Sequence, residues 1–119
     1  MTTVLIVDDS RLARDMVGSV IASLRPDWTI LSAAGGDEAL SKIVGVSPVA
    51  AIVDYNMPGM DGLTLSEKLK EQFPGLTIGI LTANVQDALR KKAEALGCRF
   101  IPKPITSDKI REFLAAAGQ

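Results

Sequence analysis

The sequence contains no histidine, a single cysteine at Cys98 and few aromatic residues. Without histidine, a histidine-ligated zinc site and a histidine general base are both excluded. A lone cysteine cannot form an internal disulfide, which is typical of a reducing compartment, so we expect a cytoplasmic protein. Because Cys98 begins an apolar segment, we interpret it as a buried structural thiol.

The chain also lacks a strong charge of either sign and a long apolar run. Its formal net charge is -1, which argues against nucleic acid as the main partner. No apolar segment is long enough to cross a bilayer, so membrane insertion is not expected. A length of 119 residues with 47% hydrophobic side chains fits one domain over residues 1–119, without an output domain.

Short apolar segments alternate with amphipathic segments along the whole chain. The predicted strands cover residues 4–7, 29–33, 49–53, 76–82 and 99–102. The predicted helices are one capped by Ser10 and ending at Leu24, a short one capped by Asp37 and running through Val44, one over 63–73, one over Val85–Leu96 with Gly97 as its C-terminal cap, and one capped by Thr106 or Ser107. Continuously apolar strands between helices predict an α/β fold with one parallel sheet and helices on both faces.

Polar residues stand at the carboxyl ends of four of these strands. Asp8 and Asp9 follow the first strand, Asp54 follows the third, Thr82 ends the fourth and Lys103 follows the fifth. In an open parallel sheet, ligands bind beyond the carboxyl ends of the strands. Clustered carboxylates repel one another, and a bound Mg²⁺ commonly offsets this repulsion because it prefers oxygen ligands. A simpler interpretation, that Asp8 and Asp9 only stabilise the start of the first helix, is weakened by Asp54.

These residue types suit phosphoryl chemistry. A carboxylate such as Asp54 beside Mg²⁺ can attack an in-line phosphorus and form an acyl phosphate. The Thr82 hydroxyl and the Lys103 ammonium are suited to the phosphoryl oxygens.

The order of the motifs resembles the receiver domain of bacterial two-component response regulators, of the stand-alone, chemotaxis-receiver-like kind. The matching residues are Asp8-Asp9, Asp54, Thr82-Ala83, Lys103-Pro104 and the loop Met57-Pro58-Gly59-Met60-Asp61-Gly62. The resemblance covers the whole chain. It implies a flavodoxin-like, doubly wound (βα)5 fold with strand order 2-1-3-4-5, an order that comes from the family and not from the spacing.

The resemblance also implies roles for individual residues. Asp54 would be the phosphoacceptor, and Mg²⁺ would be held by Asp9 and Asp54 directly, by Asp8 mostly through a water and by the backbone carbonyl of Asn56. Lys103 would contact a phosphoryl oxygen and form a cis peptide bond with Pro104.

Thr82 and Phe100 would be the switch pair, in which the aromatic ring turns inward after the hydroxyl moves toward the phosphoryl group. Phe100 has no hydroxyl, so we predict that it favours the inward state more than tyrosine would.

The implied function is a phosphorylatable signalling switch and not an enzyme, although it would phosphorylate itself from small acyl phosphates and dephosphorylate itself. A sensor histidine kinase or a histidine phosphotransfer protein would donate the phosphoryl group, docking near Arg11, Leu12 and Asp15. Phosphorylation would change the face of the fourth helix, fifth strand and fifth helix and so control a downstream effector protein. The residues of this face are around Ala88, Leu89, Lys91, Lys92, Ala95, Arg99 and Lys109.

Three alternatives have different sequence requirements. An aspartyl-phosphate phosphatase needs its nucleophile after the first strand and an acid/base aspartate two residues on, but Asp54 follows the third strand and position 56 is Asn. A flavin-binding module of the same fold needs a phosphate loop where Asp8 and Asp9 would repel phosphate. A non-phosphorylated scaffold would accept no phosphoryl group from any donor.

Overall fold

The protein forms a single parallel sheet covered on both faces by helices, in a computed structural model that describes residues 2–84 and 86–118. The strands are β1 (Thr3–Val7), β2 (Thr29–Ala33), β3 (Ala50–Asp54), β4 (Thr77–Thr82) and β5 (Arg99–Pro102). The helices are α1 (Arg11–Leu24), α2 (Gly36–Lys42), α3 (Gly62–Gln72), α4 (Asp87–Ala95) and α5 (Ser107–Gly118). The strand order β2-β1-β3-β4-β5 confirms the predicted flavodoxin-like fold.

The pairing of β1 with both β2 and β3 positions the site. Val7 lies opposite Ala33 of β2 and Val53 of β3, so the residues that follow these strands meet at one edge. This is the switch point of the strand order, where the crevice of an open α/β sheet opens.

Each face of the sheet carries its own apolar core. Leu5 and Val7 point to the face covered by α2, α3 and α4, whereas Val4 and Ile6 point to the face covered by α1 and α5. All four side chains are buried, as expected for strands that read as unbroken apolar runs. Among the helices in the described part of the chain, none combines the length and the apolar character needed to cross a membrane.

Cys98 is buried, as predicted. Burial raises the pKa of its thiol, and a hydrogen bond with Ser66 opposes that shift only in part. The thiol therefore favours its neutral form in the core.

Several helix ends follow the sequence signals. Ser10 Oγ accepts a hydrogen bond from the Ala13 amide at 3.2 Å and caps α1. Of the two candidates for α5, Thr106 is the cap, since its Oγ1 accepts from the Lys109 amide at 3.2 Å. Gly97 follows α4 with φ +78°, a left-handed conformation that favours glycine at a helix end. The predicted start of α4 at Val85 lies outside the described residues.

The prediction for the second helix was wrong at both ends. Gly35 is the N-cap of α2, and Asp37 lies inside its first turn, where a carboxylate favours the positive end of the helix dipole without capping it. Glu38 accepts from the Ala34 amide at 3.2 Å, but this amide lies before the N-cap, and Gly35 itself has no side chain to cap the first turn. The helix ends at Lys42, and Val44 lies beyond it with 81% of its surface exposed.

Candidate functional site

Three carboxylates meet at the carboxyl edge of the sheet. Asp8, Asp9 and Asp54 each place a carboxylate oxygen within 4.8 Å of the others. Asp8 is 2% exposed and Asp54 is 3% exposed, whereas Asp9 is open to solvent. The adjacency of β1 and β3 brings these residues together, so this part of the predicted site is assembled in the fold.

The position of Asp8 is determined by the hydrogen bonds around it. Its amide donates to the Ala33 carbonyl at 3.1 Å, which extends the β1–β2 ladder by one residue. Its Oδ1 accepts from the Ser10 amide at 2.9 Å, so the turn into α1 orients the carboxylate. Ser10 therefore contributes to the site as well as capping the helix.

The electrostatics of the cluster reflect buried negative charge. Burial is the main reason that the pKa of Asp8 is raised, and the charges of Asp54 and Asp9 raise it further against the Ser10 hydrogen bond. Burial also raises the pKa of Asp54, while Lys103 opposes that shift. Both carboxyl groups are thus harder to ionise than in water unless positive charge is added.

Lys103 supplies one positive charge to this cluster. Its Nζ lies 3.0 Å from Asp54 Oδ1, with Asp54 buried and the lysine side chain 32% exposed. The ammonium and the carboxylate are close enough to form an ion pair, but their geometry is not that of a directed hydrogen bond. Within the described residues, neither Asp54 Oδ1 nor Asp8 Oδ2 receives a hydrogen bond.

The donor set fits a hard divalent cation. Burying carboxylate oxygens that receive no hydrogen bond destabilises a fold. A cation bound among the carboxylates would interact favourably with both oxygens. All the available ligands are oxygens, which Mg²⁺ prefers and with which it usually keeps several waters.

Thr82 lies at the same edge and is oriented by the loop that follows it. The side chain is buried, and its Oγ1 accepts from the Asn84 amide at 2.9 Å, which leaves the O–H free to donate. The Lys103 amide donates to the Thr82 carbonyl at 2.8 Å, so the backbones that carry the hydroxyl and the ammonium are held side by side. The Lys103-Pro104 bond is cis, as predicted.

Phe100 lies on β5 two residues before Pro102 and is half-buried. The guanidinium of Arg90 on α4 is stacked over its ring, 4.6 Å from the centroid. The Phe100 ring thus interacts with a cation, whereas a tyrosine at this position would also need a hydrogen-bond partner for its hydroxyl. Its inward preference stays a prediction.

The surface predicted to bind an effector is only partly available. Ala88, Lys91, Lys92, Ala95 and Arg99 are exposed, but Leu89 is buried and packs inward. The Lys109 ammonium donates to the carbonyls of Pro102 and Pro104 at 2.7 and 3.0 Å, so it is engaged within the protein. Asn56, predicted to offer its carbonyl to the cation, is exposed in the loop after β3.

Gly62 is a site-forming residue that the sequence pattern marks only as a turn former. A Cβ at this position would lie 2.5 Å from the Asp54 carbonyl oxygen and 2.9 Å from Tyr55 Cα. The Gly62 amide donates to the Tyr55 carbonyl at 3.0 Å. Only glycine lets α3 begin this close to the backbone of the acidic residue. The Asp61-Gly62 pair signals a turn, but not this contact.

Arg14 was also missed. It lies on α1 between residues assigned to kinase docking, yet its Nη1 donates to the Asp8 carbonyl at 2.7 Å. An arginine at this position in an amphipathic helix reads as a solvated side chain, so the sequence held no signal for this contact.

The similarity to known proteins extends over nearly the whole fold. Residues 4–115 match the family model described as the response regulator receiver domain. The chain is 33% identical over 116 residues to the chemotaxis protein CheY of Treponema pallidum, covering 95% of this chain and 80% of that protein. It is 34% identical over 119 residues to the positive alginate biosynthesis regulatory protein of Pseudomonas aeruginosa, covering 98% of this chain and 47% of that protein.

Several of the curated relatives are longer than this chain. The chain spans about half the length of the alginate regulatory protein. A solved structure of Vibrio cholerae chemotaxis protein CheY4 superposes with a TM-score of 0.89 at 27% identity, covering 99% of each chain.

Proposed function

Because this chain belongs to the family of response regulator receiver domains, we propose that it is a signalling switch that accepts a phosphoryl group on Asp54. The observation that carries this proposal is a buried Asp54 with an oxygen that receives no hydrogen bond within the described residues, 3.0 Å from the Lys103 ammonium and beside two further carboxylates. A buried carboxylate held between an ammonium and a cation site can act as a nucleophile toward phosphorus. We place this activity in the cytoplasm.

The proposed transfer takes the phosphoryl group from a phosphohistidine. An ionised oxygen of Asp54 attacks the phosphorus as the P–N bond of the donor breaks, and the imidazole nitrogen keeps the electron pair and takes up a proton. Lys103 favours the ionised form of Asp54 against the effect of burial. Asp8, Asp9 and Asp54 would hold Mg²⁺ with the Asn56 carbonyl. When bound, the cation would offset the charge of the carboxylates and of the phosphoryl oxygens.

Thr82 and Lys103 would then detect the phosphoryl group. The Thr82 hydroxyl has its donor position free, and the lysine ammonium could exchange its carboxylate partner for a phosphoryl oxygen. Moving a population from 1:99 to 99:1 takes roughly 5.5 kcal/mol of differential binding. Two charge-assisted bonds of about 1.5–3 kcal/mol each are of this order.

The proposed partners follow from the exposed surfaces. A sensor histidine kinase or histidine phosphotransfer protein would dock at the start of α1, where Leu12 is 71% exposed beside an exposed Arg11–Asp15 pair. A downstream effector protein would bind the face formed by α4, β5 and α5, through the exposed Lys91, Lys92 and Arg99.

The test is phosphorylation from a small molecule. With Mg²⁺ and a small acyl phosphate, the protein should gain the mass of one phosphoryl group, and Asp54→Asn should abolish the gain. Asp61→Asn is the matched control: it makes the same chemical change nearby, and asparagine can still cap α3 through the bond that Asp61 accepts from Thr64.

Two outcomes would contradict the proposal. An adduct that persists in Asp54→Asn would place the phosphoacceptor elsewhere. If the wild-type protein gains no mass from any donor, a non-phosphorylated scaffold is the better account. Slow loss of the adduct in the wild-type protein would report the proposed self-dephosphorylation.

A further inference from the structure

Arg14 reaches from α1 back to the backbone of the acidic site. Its side chain is half-buried, and Nη1 donates to the carbonyl of Asp8, which precedes the helix, at 2.7 Å. That carbonyl belongs to the peptide unit joining Asp8 to Asp9, and the unit is planar. Holding its oxygen therefore fixes the direction in which the chain enters Asp9.

The other groups of Asp8 are already held. Its amide is bonded to Ala33 and its Oδ1 to the Ser10 amide, so the Arg14 bond completes the set and leaves only the buried Oδ2 without a donor. Asp8 is thus oriented from three directions.

Asp9 depends on this arrangement. Its side chain is exposed, and in the described ranges no hydrogen bond or ion pair restrains its carboxylate. Its oxygen nevertheless lies within 4.8 Å of oxygens on Asp8 and Asp54. The backbone at residues 8 and 9 must therefore supply the placement, and Arg14 is the side chain that holds this backbone.

Charge alone would give Arg14 the opposite effect. The guanidinium lies 2.7 Å from the Asp8 carbonyl, and a positive charge there repels an incoming cation, so its removal would tighten cation binding if charge were its main contribution. A residue that orients the ligands would do the reverse when removed. The two roles thus predict changes of opposite sign.

We propose that Arg14 is a positioning residue for the divalent cation site, acting through the Asp8 carbonyl to place the Asp8 and Asp9 carboxylates. The inference rests on the proposed function, since it takes this cluster to be the cation site. Loss of residues that orient metal ligands typically weakens affinity by about 10–100-fold.

The test is the dissociation constant of Mg²⁺ alone, measured by calorimetric titration without any phosphoryl donor. Arg14→Met keeps an apolar stem but loses the donor, and we expect it to weaken Mg²⁺ binding by about 10-fold. Arg14→Lys keeps a donor and should recover most of the affinity. Arg11→Ala is the control, because it removes the same charge from the exposed side of the same helix.

Thermal unfolding in a chelator separates positioning from loss of fold, and Arg14→Met should unfold within a few degrees of the wild type. Unchanged or tighter Mg²⁺ binding in a folded Arg14→Met would overturn the positioning role of Arg14 but not the proposed function. Equal weakening in Arg14→Lys would also overturn it. A wild-type protein that binds no Mg²⁺ would overturn the proposed cation site together with the inference.

Discussion

The interior of the sheet and its carboxyl edge belong to the same strands, but burial stabilises the fold in the interior and destabilises it at the edge. Val53 and Asp54 are consecutive in β3, and both are buried. Val53 packs in an apolar cluster, whereas Asp54 carries a charge with an oxygen that receives no hydrogen bond within the described residues. The interior stabilises the fold, whereas the edge gives up stability to hold the acidic cluster that we propose binds a cation and a phosphoryl group.

The largest loss of stability should come from the interior. Ile52 is fully buried, and Ile52→Ala should lower the free energy of unfolding by about 2–5 kcal/mol through lost burial and the cavity left behind. Chemical denaturation measures this. The exposed Val44→Ala should change the same quantity by less than about 0.5 kcal/mol. Similar losses at both positions would contradict the contrast between core and surface.

A smaller loss is expected where α3 begins beside the acidic edge. Gly62→Ala places a Cβ against the Asp54 carbonyl, and we expect a loss of about 1–3 kcal/mol together with slower phosphorylation of Asp54. Gly75→Ala is the matched control, because the methyl group added there would meet no atom within 4 Å beyond its chain neighbours. An unchanged stability in Gly62→Ala would show that the contact is relieved easily.

At the edge itself, removing a charge should increase stability. In a chelator, Asp8→Asn should raise the free energy of unfolding by on the order of 1 kcal/mol, since it keeps the acceptor for Ser10 and removes a buried charge. Added Mg²⁺ should narrow the difference by stabilising the wild type. A less stable Asp8→Asn in the chelator would show that the cluster is not under electrostatic repulsion.

The same pair of proteins gives a pH dependence of known sign. Because the pKa of Asp8 is raised in the folded state, the folded protein binds this proton more tightly than the unfolded chain. Proton binding to Asp8 therefore stabilises the folded wild type at pH values below the ordinary carboxyl pKa. This stabilisation is lost as the pH rises through the raised pKa of the folded state. The excess stability of Asp8→Asn should grow over this window, and a constant excess would argue against titration of Asp8.

The smallest effect is expected at the stacked pair on α4 and β5. Arg90→Gln should lower the free energy of unfolding by about 0.5–1 kcal/mol, because the cation leaves the face of the Phe100 ring. A double-mutant cycle with Phe100→Leu isolates the pair. A coupling energy of zero would mean that the stacking contributes nothing.

The fold was predictable because its elements depend on local patterns. Unbroken apolar runs marked the strands, and the aspartates after β1 and at the end of β3 marked the acidic edge. The start of α2 was not predictable, since Asp37 has a strong capping preference, yet Gly35 takes the N-cap position and Asp37 lies inside the first turn.

Two contacts between neighbouring turns of the chain could not be predicted from the sequence. Gly62 and Arg14 act through the atoms that approach them, and those atoms belong to Asp54, Tyr55 and Asp8. Their spacing resembles an ordinary turn and an ordinary helix surface. The predicted effector surface likewise included Leu89, which is in fact buried on α4.

The central claim is that phosphoryl binding at the carboxyl edge changes the distant face of α4, β5 and α5. The most direct measurement is the amide NMR spectrum with Mg²⁺, before and after addition of beryllofluoride, a phosphoryl mimic. We expect shifts at Asp54 and Thr82 and also along α4 and β5, including Phe100, with none of these changes in Asp54→Asn. Shifts confined to the acidic edge, or equal shifts in Asp54→Asn, would contradict the switch.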